Sequence, residues 1–322
     1  MTAVQFCGLT VRGMTMAHLM IVQCSGRRNG YTANLMKAAV KCIGDMENLE
    51  VEVFHLHDYT FGPCTSCFSC IRNVGSGCVL DDDWGRKREG VLYKAAVKTN
   101  GVLMVDPVHG WGMSAAARLF LERFYPTFWE GIPYGMPFAS ISCASNQGFQ
   151  YRASEEYCKF AAAHGLLHAG SLPVHALFYD EGLARSEELA VKIAEAALAD
   201  EKNGRKKPTD KEIFTTFNGT AFDLVEKYFQ NLTDNTFVYE ESLPYKAVRD
   251  GLVTNPEALP LIEKVCEHLK TALELYHAGN RADCAVELSY AAKYWTNGTF
   301  KQCCENVIVK AGIPKAYRPL DE

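Results

Sequence analysis

Cys64, Cys67, Cys70 and Cys78 stand in the pattern Cys-x2-Cys-x2-Cys-x7-Cys, four thiols within fifteen residues. Deprotonated thiols are soft ligands, and four of them converging is the usual ligand set of an iron–sulfur cluster. The same set suits a tetrahedral structural zinc ion. A third reading has the thiols packed as small hydrophobes or left free. Three ligands two residues apart, followed by a short return, look more like a ferredoxin-type iron–sulfur arrangement than the separated pairs typical of zinc. Gly75 and Gly77 let the chain fold back and bring in Cys78.

Three other stretches carry polar groups at positions where a ligand can be held. CSGRRNGYTANLM joins a short apolar run to a helical pattern, and Ser25, Arg27, Gly30 and Thr32 lie in that turn. It matches neither G-x-G-x-x-G nor the P-loop pattern. It is still rich in donors, and the free amides and dipole of a helix N-terminus favour a phosphate. A phosphate monoester surrounded by Ser, Thr and Arg suits FMN; the alternative is an ordinary turn with exposed arginines. Pro107, Val108, His109, Gly110, Trp111 and Gly112 form a second stretch, in which the glycines allow close backbone approach and Trp111 can stack on a flat ring. His109 is the one candidate for relaying a proton. Ser145, Asn146, Gln147 and Gly148 form the third. His55-x-His57-Asp58 reads as satisfied strand histidines, Asp81–Asp83 as a solvated helix cap, and Arg86–Arg88 as a solvated face.

The elements that must position these groups alternate. Strands are expected at His18–Cys24, Val51–Leu56, Gly101–Val105, Phe138–Cys143 and Leu172–Leu177. Helices are expected from Thr32, at Gly90–Lys98, at Ser114–Phe124 with Ser114 as N-cap, at Ser154–His164 and at Glu187–Leu198. This alternation predicts an α/β fold: a doubly wound five-stranded parallel sheet, flavodoxin-like in its order 2-1-3-4-5. Residues 1–16 read as a poorly ordered lead-in, 17–200 as the sheet domain, and the charged stretch 200–212 as a linker. Residues 213–322 read as a mainly helical extension, with breaks at Gly279 and near Asn297-Gly298.

Composition narrows the class. A chain of 322 residues, 48% hydrophobic and 22% charged, holds one large core or two ordinary ones. The net charge of −5 offers no basic footprint for nucleic acid. No apolar run reaches the roughly 20 residues that span a bilayer, and no export signal is evident. The expectation is therefore a cytoplasmic protein whose thirteen cysteines are reduced. Cys7, Cys24, Cys42, Cys143, Cys158, Cys266 and Cys284 are scattered like buried hydrophobes, and Cys303 and Cys304 are adjacent.

Taken in order, Ser25-x-Arg27 with Thr32, CTSCFSC…CVLDDDW and GVLMVDPVHGWGMSAAARLFLERF resemble the NADPH-dependent FMN reductase superfamily, and within it the iron–sulfur flavoproteins. The resemblance covers residues 17–180 or so. It implies non-covalent FMN held by the three turns, a [4Fe-4S] cluster on the four cysteines, NAD(P)H or reduced ferredoxin as electron donor, and assembly as a homodimer or homotetramer. A ferredoxin-like protein and a small-molecule acceptor are the implied partners. Cys24 replaces the usual Gly, while Asp106 and His109 replace the usual Ser and Tyr. Asp106 would add negative charge near the flavin edge, or cap a turn. The expected function is an FMN-dependent oxidoreductase. A cluster-free NAD(P)H:flavin or quinone reductase is one alternative, and a non-catalytic electron carrier or redox sensor is another.

Overall fold

The computed structural model describes residues 16–146, 148–209, 212, 213, 216 and 224–303. Five strands, β1 (Ala17–Gln23), β2 (Leu49–His55), β3 (Gly101–Pro107), β4 (Pro137–Ala144) and β5 (Leu167–His175), form one parallel sheet in the order β2-β1-β3-β4-β5. The helices between them are α1 (Tyr31–Ile43), α2 (Ser69–Arg72), α3 (Val91–Lys98), α4 (Ala115–Glu122), α5 (Tyr125–Glu130), α6 (Gln150–Ala163) and α7 (Tyr179–Asn203). Four more follow, α8 (Val225–Leu232), α9 (Leu243–Arg249), α10 (Leu259–His277) and α11 (Arg281–Cys303). The flavodoxin-like order expected from the alternation is the order observed.

The two-residue period of the central strands feeds two cores. Leu19, Ile21, Leu103, Val105, Ala139 and Ile141 face α1 and α7 through Leu35, Met36, Ala39, Leu189 and Ile193. Met20, Val22, Val102, Met104 and Phe138 face the other way, onto Trp84, Leu92, Phe120 and Tyr157. That second core continues without a break into Phe229, Leu232, Ile262, Val265, Leu269 and Leu288 of the C-terminal helices. Both faces of the sheet are thus covered, as a parallel sheet requires.

α6 begins at Gln150, four residues earlier than predicted, and three other elements also differ from expectation. β5 begins at Leu167, five residues earlier than predicted, and ends before Leu177. Gly170 and Pro173 interrupt its apolar pattern. Proline is tolerated there because β5 is an edge strand. α7 begins at Tyr179 and not at Glu187. Gly182 hid its first turns, yet this glycine is what allows close packing: a Cβ there would stand 2.6 Å from Val174 Cγ1. α11 runs through Asn297-Gly298 unbroken, because a Cβ at Gly298 would meet Ile262 Cδ1 of α10 at 2.5 Å. The lead-in up to residue 15, Gln147, most of residues 210–223 and everything after Cys303 lie outside the described residues.

Candidate cofactor site and thiol cavity

Register brings three turns together. Gln23 pairs with Val105, and Pro107 with Cys143, so β1, β3 and β4 end side by side. The ladder extends past them: Cys24 N–H donates to Val105 O at 2.9 Å and Val108 N–H to Cys143 O at 2.8 Å. Turns 24–30, 107–113 and 145–149 therefore leave from adjacent carboxyl ends, where sheets of this topology bind ligands.

In the first turn Ser25 is buried and its Oγ accepts from Arg27 N–H at 3.1 Å. Gly30 is extended, and α1 starts after it with no side-chain cap and no acid in its first turn. The positive end of a 13-residue helix is thus left without a compensating carboxylate. Thr32 is buried, and its hydroxyl interacts with the Cys143 thiol, whose pKa burial nonetheless pushes up to about 11. His57, read from sequence as a strand histidine, lies beyond β2 and supports this turn. Its Nε2 lies 3.2 Å from Cys24 O, and its ring sits 3.5 Å from where a Gly26 Cβ would be. Arg28 is paired with Asp58, and Arg27 is exposed beside it.

The second turn is a tight reversal. His109 N–H donates to Gly112 O at 3.1 Å and Gly112 N–H to His109 O at 3.2 Å, while Gly110 (φ 56°) and Trp111 (φ 62°) are left-handed between them. Such a conformation is uncommon for tryptophan, and its effect is to hold the indole outward, 61% exposed. His109 is exposed beside it. Met113 N–H donates to Glu156 Oε2 at 3.2 Å, and Ser114 Oγ caps α4 by accepting from Ala117 N–H at 3.2 Å. Asp106 corrects one expectation. It does not face a ligand edge but is fully buried, and its Oδ2 accepts from Ser114 N–H at 3.0 Å. Burial pushes its pKa up to about 7 against the pull of the Ser114 and Tyr157 groups. In the third turn Ser145 and Asn146 are exposed, Asn146 O lies 3.2 Å from His175 Nε2, and Gly148 has a φ of 84°.

The four cysteines line a single cavity of about 240 Å³ with Phe68, Arg123, Tyr125 and Pro126. Burial pushes the Cys70 thiol up to about 11, and Cys78, Cys64 and Cys67 add to the effect in that order, so each of the other three is within electrostatic reach of it. Ser66 N–H donates to Cys64 Sγ at 3.4 Å from a loop in which Ser66 and Phe68 are left-handed. Among the described residues no three His, Cys, Asp or Glu side chains stand close enough to hold one metal ion. The sulfurs surround a space without converging on a point.

Arg123 is the residue that sequence reading missed. Its side chain is 1% exposed, and it donates to Gly62 O at 2.6 Å, to Asp82 at 2.7 and 3.0 Å, and to Cys78 Sγ at 3.4 Å. Asp82 in turn accepts from Trp84 and Gly85 N–H at 3.1 and 2.8 Å, and Asp83 from Thr60 N–H at 2.7 Å. The acidic triplet is therefore not a solvated helix cap. Its middle and last members pin the loop that carries the cysteines. The basic triplet is exposed, as expected of a solvated face, with Arg86 paired to Asp81 and Arg88 to Glu130 and Gly75 O. Two local signals pointed to the pairing of Arg123 with Asp82, DDDW directly after Cys78 and an arginine in the apolar run LFLERF. α4 separates the cavity from the 107–113 turn, a rise of about 12 Å for its eight residues.

A sheet of this order, with donor-rich turns at the ends of its central strands, is that of the flavodoxin-like doubly wound domains. The model of the NADPH-dependent FMN reductase family matches residues 17–172, so this part of the chain is similar to that family. The chain is 28% identical over 102 residues to an iron–sulfur flavoprotein of Methanocaldococcus jannaschii, a match covering 32% of this chain and 49% of that protein. The chain thus spans about half the length of the curated relative it matches. Among solved structures it is similar to a flavone reductase (19% identity, 60% of this chain and 66% of the other, TM-score 0.43). It is also similar to an FMN-dependent NADH-azoreductase of Bacillus anthracis in complex with FMN (13% identity, 55% and 99%, TM-score 0.41). No helix among the described residues is long and apolar enough to cross a membrane.

Proposed function

We propose that the protein is an FMN-dependent oxidoreductase that accepts electrons from NAD(P)H or a reduced ferredoxin-like protein and passes them on by way of a [4Fe-4S] cluster. The observation that carries the flavin reading is the uncapped, acid-free start of α1 beside the turns that end β3 and β4. Ser25, Arg27, Gly30 and Thr32 would hold the phosphate, with Pro107–Gly112 and Ser145–Gly148 around the ring. FMN there would supply hydride acceptance and one-electron release, and a cluster would supply single-electron relay, while these residues would bind and orient the flavin. His109 is exposed at the turn and is the candidate for relaying a proton.

The cluster reading is supported by four thiols around one cavity, by Arg123 against Cys78, and by an amide donor to Cys64. A buried guanidinium offsets the negative charge that four thiolates bring. That no three such side chains among the described residues stand close enough to hold one metal ion is the observation favouring the alternative, a cluster-free flavin or quinone reductase. A basic rim beside the cavity, Arg86–Arg88, supports an acidic, ferredoxin-like partner.

Purification without oxygen, followed by flavin, iron, sulfide and zinc analysis, tests both parts. The expected result is FMN with about four iron and four sulfide per chain and a visible absorbance bleached by dithionite. FMN without iron leaves the cluster-free reductase. Absence of FMN binding overturns the function.

A further inference from the structure

Behind the 107–113 turn lies a sealed polar cluster that the flavin reading does not use. Asp106 ends the interior of β3, 0% exposed, and its Oδ1 has no hydrogen-bond partner. Tyr157 of α6 is also 0% exposed, and its hydroxyl is likewise without a well-formed hydrogen bond. It acts on the Asp106 carboxyl, holding its pKa down against burial. Cys24, 1% exposed at the end of β1, is the third member, and its thiol is pushed up by burial and then by Asp106. Such groups normally find partners, because an unpaired buried carboxylate oxygen loses solvation without compensation.

We propose that Asp106 is a proton-holding residue of the cofactor site: sealed with Tyr157 and Cys24 behind the Pro107–Gly112 loop, it binds one proton when negative charge accumulates in front of that loop and releases it when the charge leaves. This rests on the flavin reading of the loop. A neutral carboxyl can donate to Tyr157 Oη through its own O–H, giving the orphan oxygens a partner. The charged form is favoured by the Ser114 hydroxyl, the Ser114 N–H and the Tyr157 hydroxyl. The other groups facing Asp106 set the balance. Glu156 of α6 opposes ionisation and is itself tied to Met113 N–H and Arg118, while Ser114 at the start of α4 favours it. Asp106 and the loop are consecutive in sequence, so charge in front of the loop and charge on Asp106 repel across a few bonds in a dry medium. With burial raising its pKa to about 7, the site changes state within the physiological range.

The first test needs no cofactor. Infrared difference spectra of the apoprotein between pH 5 and pH 9 should show a protonated-carboxyl band lost on raising the pH, absent in Asp106→Asn. In Tyr157→Phe, which removes a group that stabilises the charged form, the loss should move to higher pH. With FMN bound, the midpoint potential plotted against pH should break near pH 7 in the wild type and run straight in Asp106→Asn. No Asp106-dependent band between pH 5 and 9 overturns the proposal whether or not FMN binds. A band with no difference between the two potential plots overturns the coupling. Failure of FMN to bind sinks instead the function proposed above.

Discussion

Arg123 and Asp82 show how a single pair can organise a loop that has little structure of its own. Both are largely buried, and a buried ion pair is stable only while every charge keeps its partners. Asp82→Ala leaves the guanidinium unpaired next to Cys78, and should cost about 3–5 kcal/mol in urea unfolding. The pair also sets an acid limit. Burial raises the Asp82 pKa, but the Arg123 hydrogen bonds and charge, together with the Gly85 and Gly62 amides, outweigh it and hold it below its ordinary value. Its stabilisation is therefore complete above the unfolded carboxylate range and fades as pH falls through the folded one. Asp106 has the opposite sign: its raised pKa stabilises the fold at acid pH, and that contribution is lost as pH rises through about 7. Urea unfolding of Asp106→Asn should therefore show a weaker decline between pH 5 and 8 than the wild type. At Ser25, Ser25→Ala should weaken FMN about 10-fold in a fluorescence titration, the scale of one hydrogen bond to a charged group.

Helix α1 carries the phosphate argument through its terminus, and a charge placed there separates binding from folding. Tyr31, half exposed as its first residue, is the position to use. Tyr31→Glu puts a carboxylate against the positive end of the helix, which stabilises it by about 0.3–1 kcal/mol. The same carboxylate repels a phosphate. The expected outcome is thermal stability unchanged or slightly raised, with FMN affinity lowered at least 10-fold. Equal losses in both would show that the residue serves packing with Tyr179 alone. α4 links the two candidate sites, and its capping by Ser114 matters for both. Ser114→Ala should cost about 1 kcal/mol.

The C-terminal helices are not peripheral to the fold, because Phe229, Leu269 and Leu288 share one core with the sheet face that carries Met20 and Phe138. Phe300 of α11 packs against Trp129 in the cluster that also holds Cys70. A chain ending at residue 209 would expose that apolar face and should be insoluble or oligomerise nonspecifically, as light scattering would show. A soluble, monodisperse truncation would overturn this. Trp111, Phe149, Tyr151, Leu177 and Phe178 are exposed apolar groups that follow β3, β4 and β5, and on that ground we expect a homo-oligomer. The expected result is a molar mass of two or four chains.

The strand order, the cysteine pattern and the donors of the first turn were legible in the sequence because each depends on residues close together. Alternating apolar positions dictate which strand faces a helix, and ligand spacing within one loop needs no knowledge of the rest of the chain. Gly298 misled for the converse reason: read locally it breaks a helix, but in place it lets the Ile262 side chain close on the backbone. Only tertiary structure decided that Asp106 turns inward, that His57 props the first turn, and that Arg123 reaches back 41 residues to Asp82. Those outcomes rest on burial and charge pairing between segments distant in the chain, where the cost of an unpaired group selects the partner and no local pattern records it.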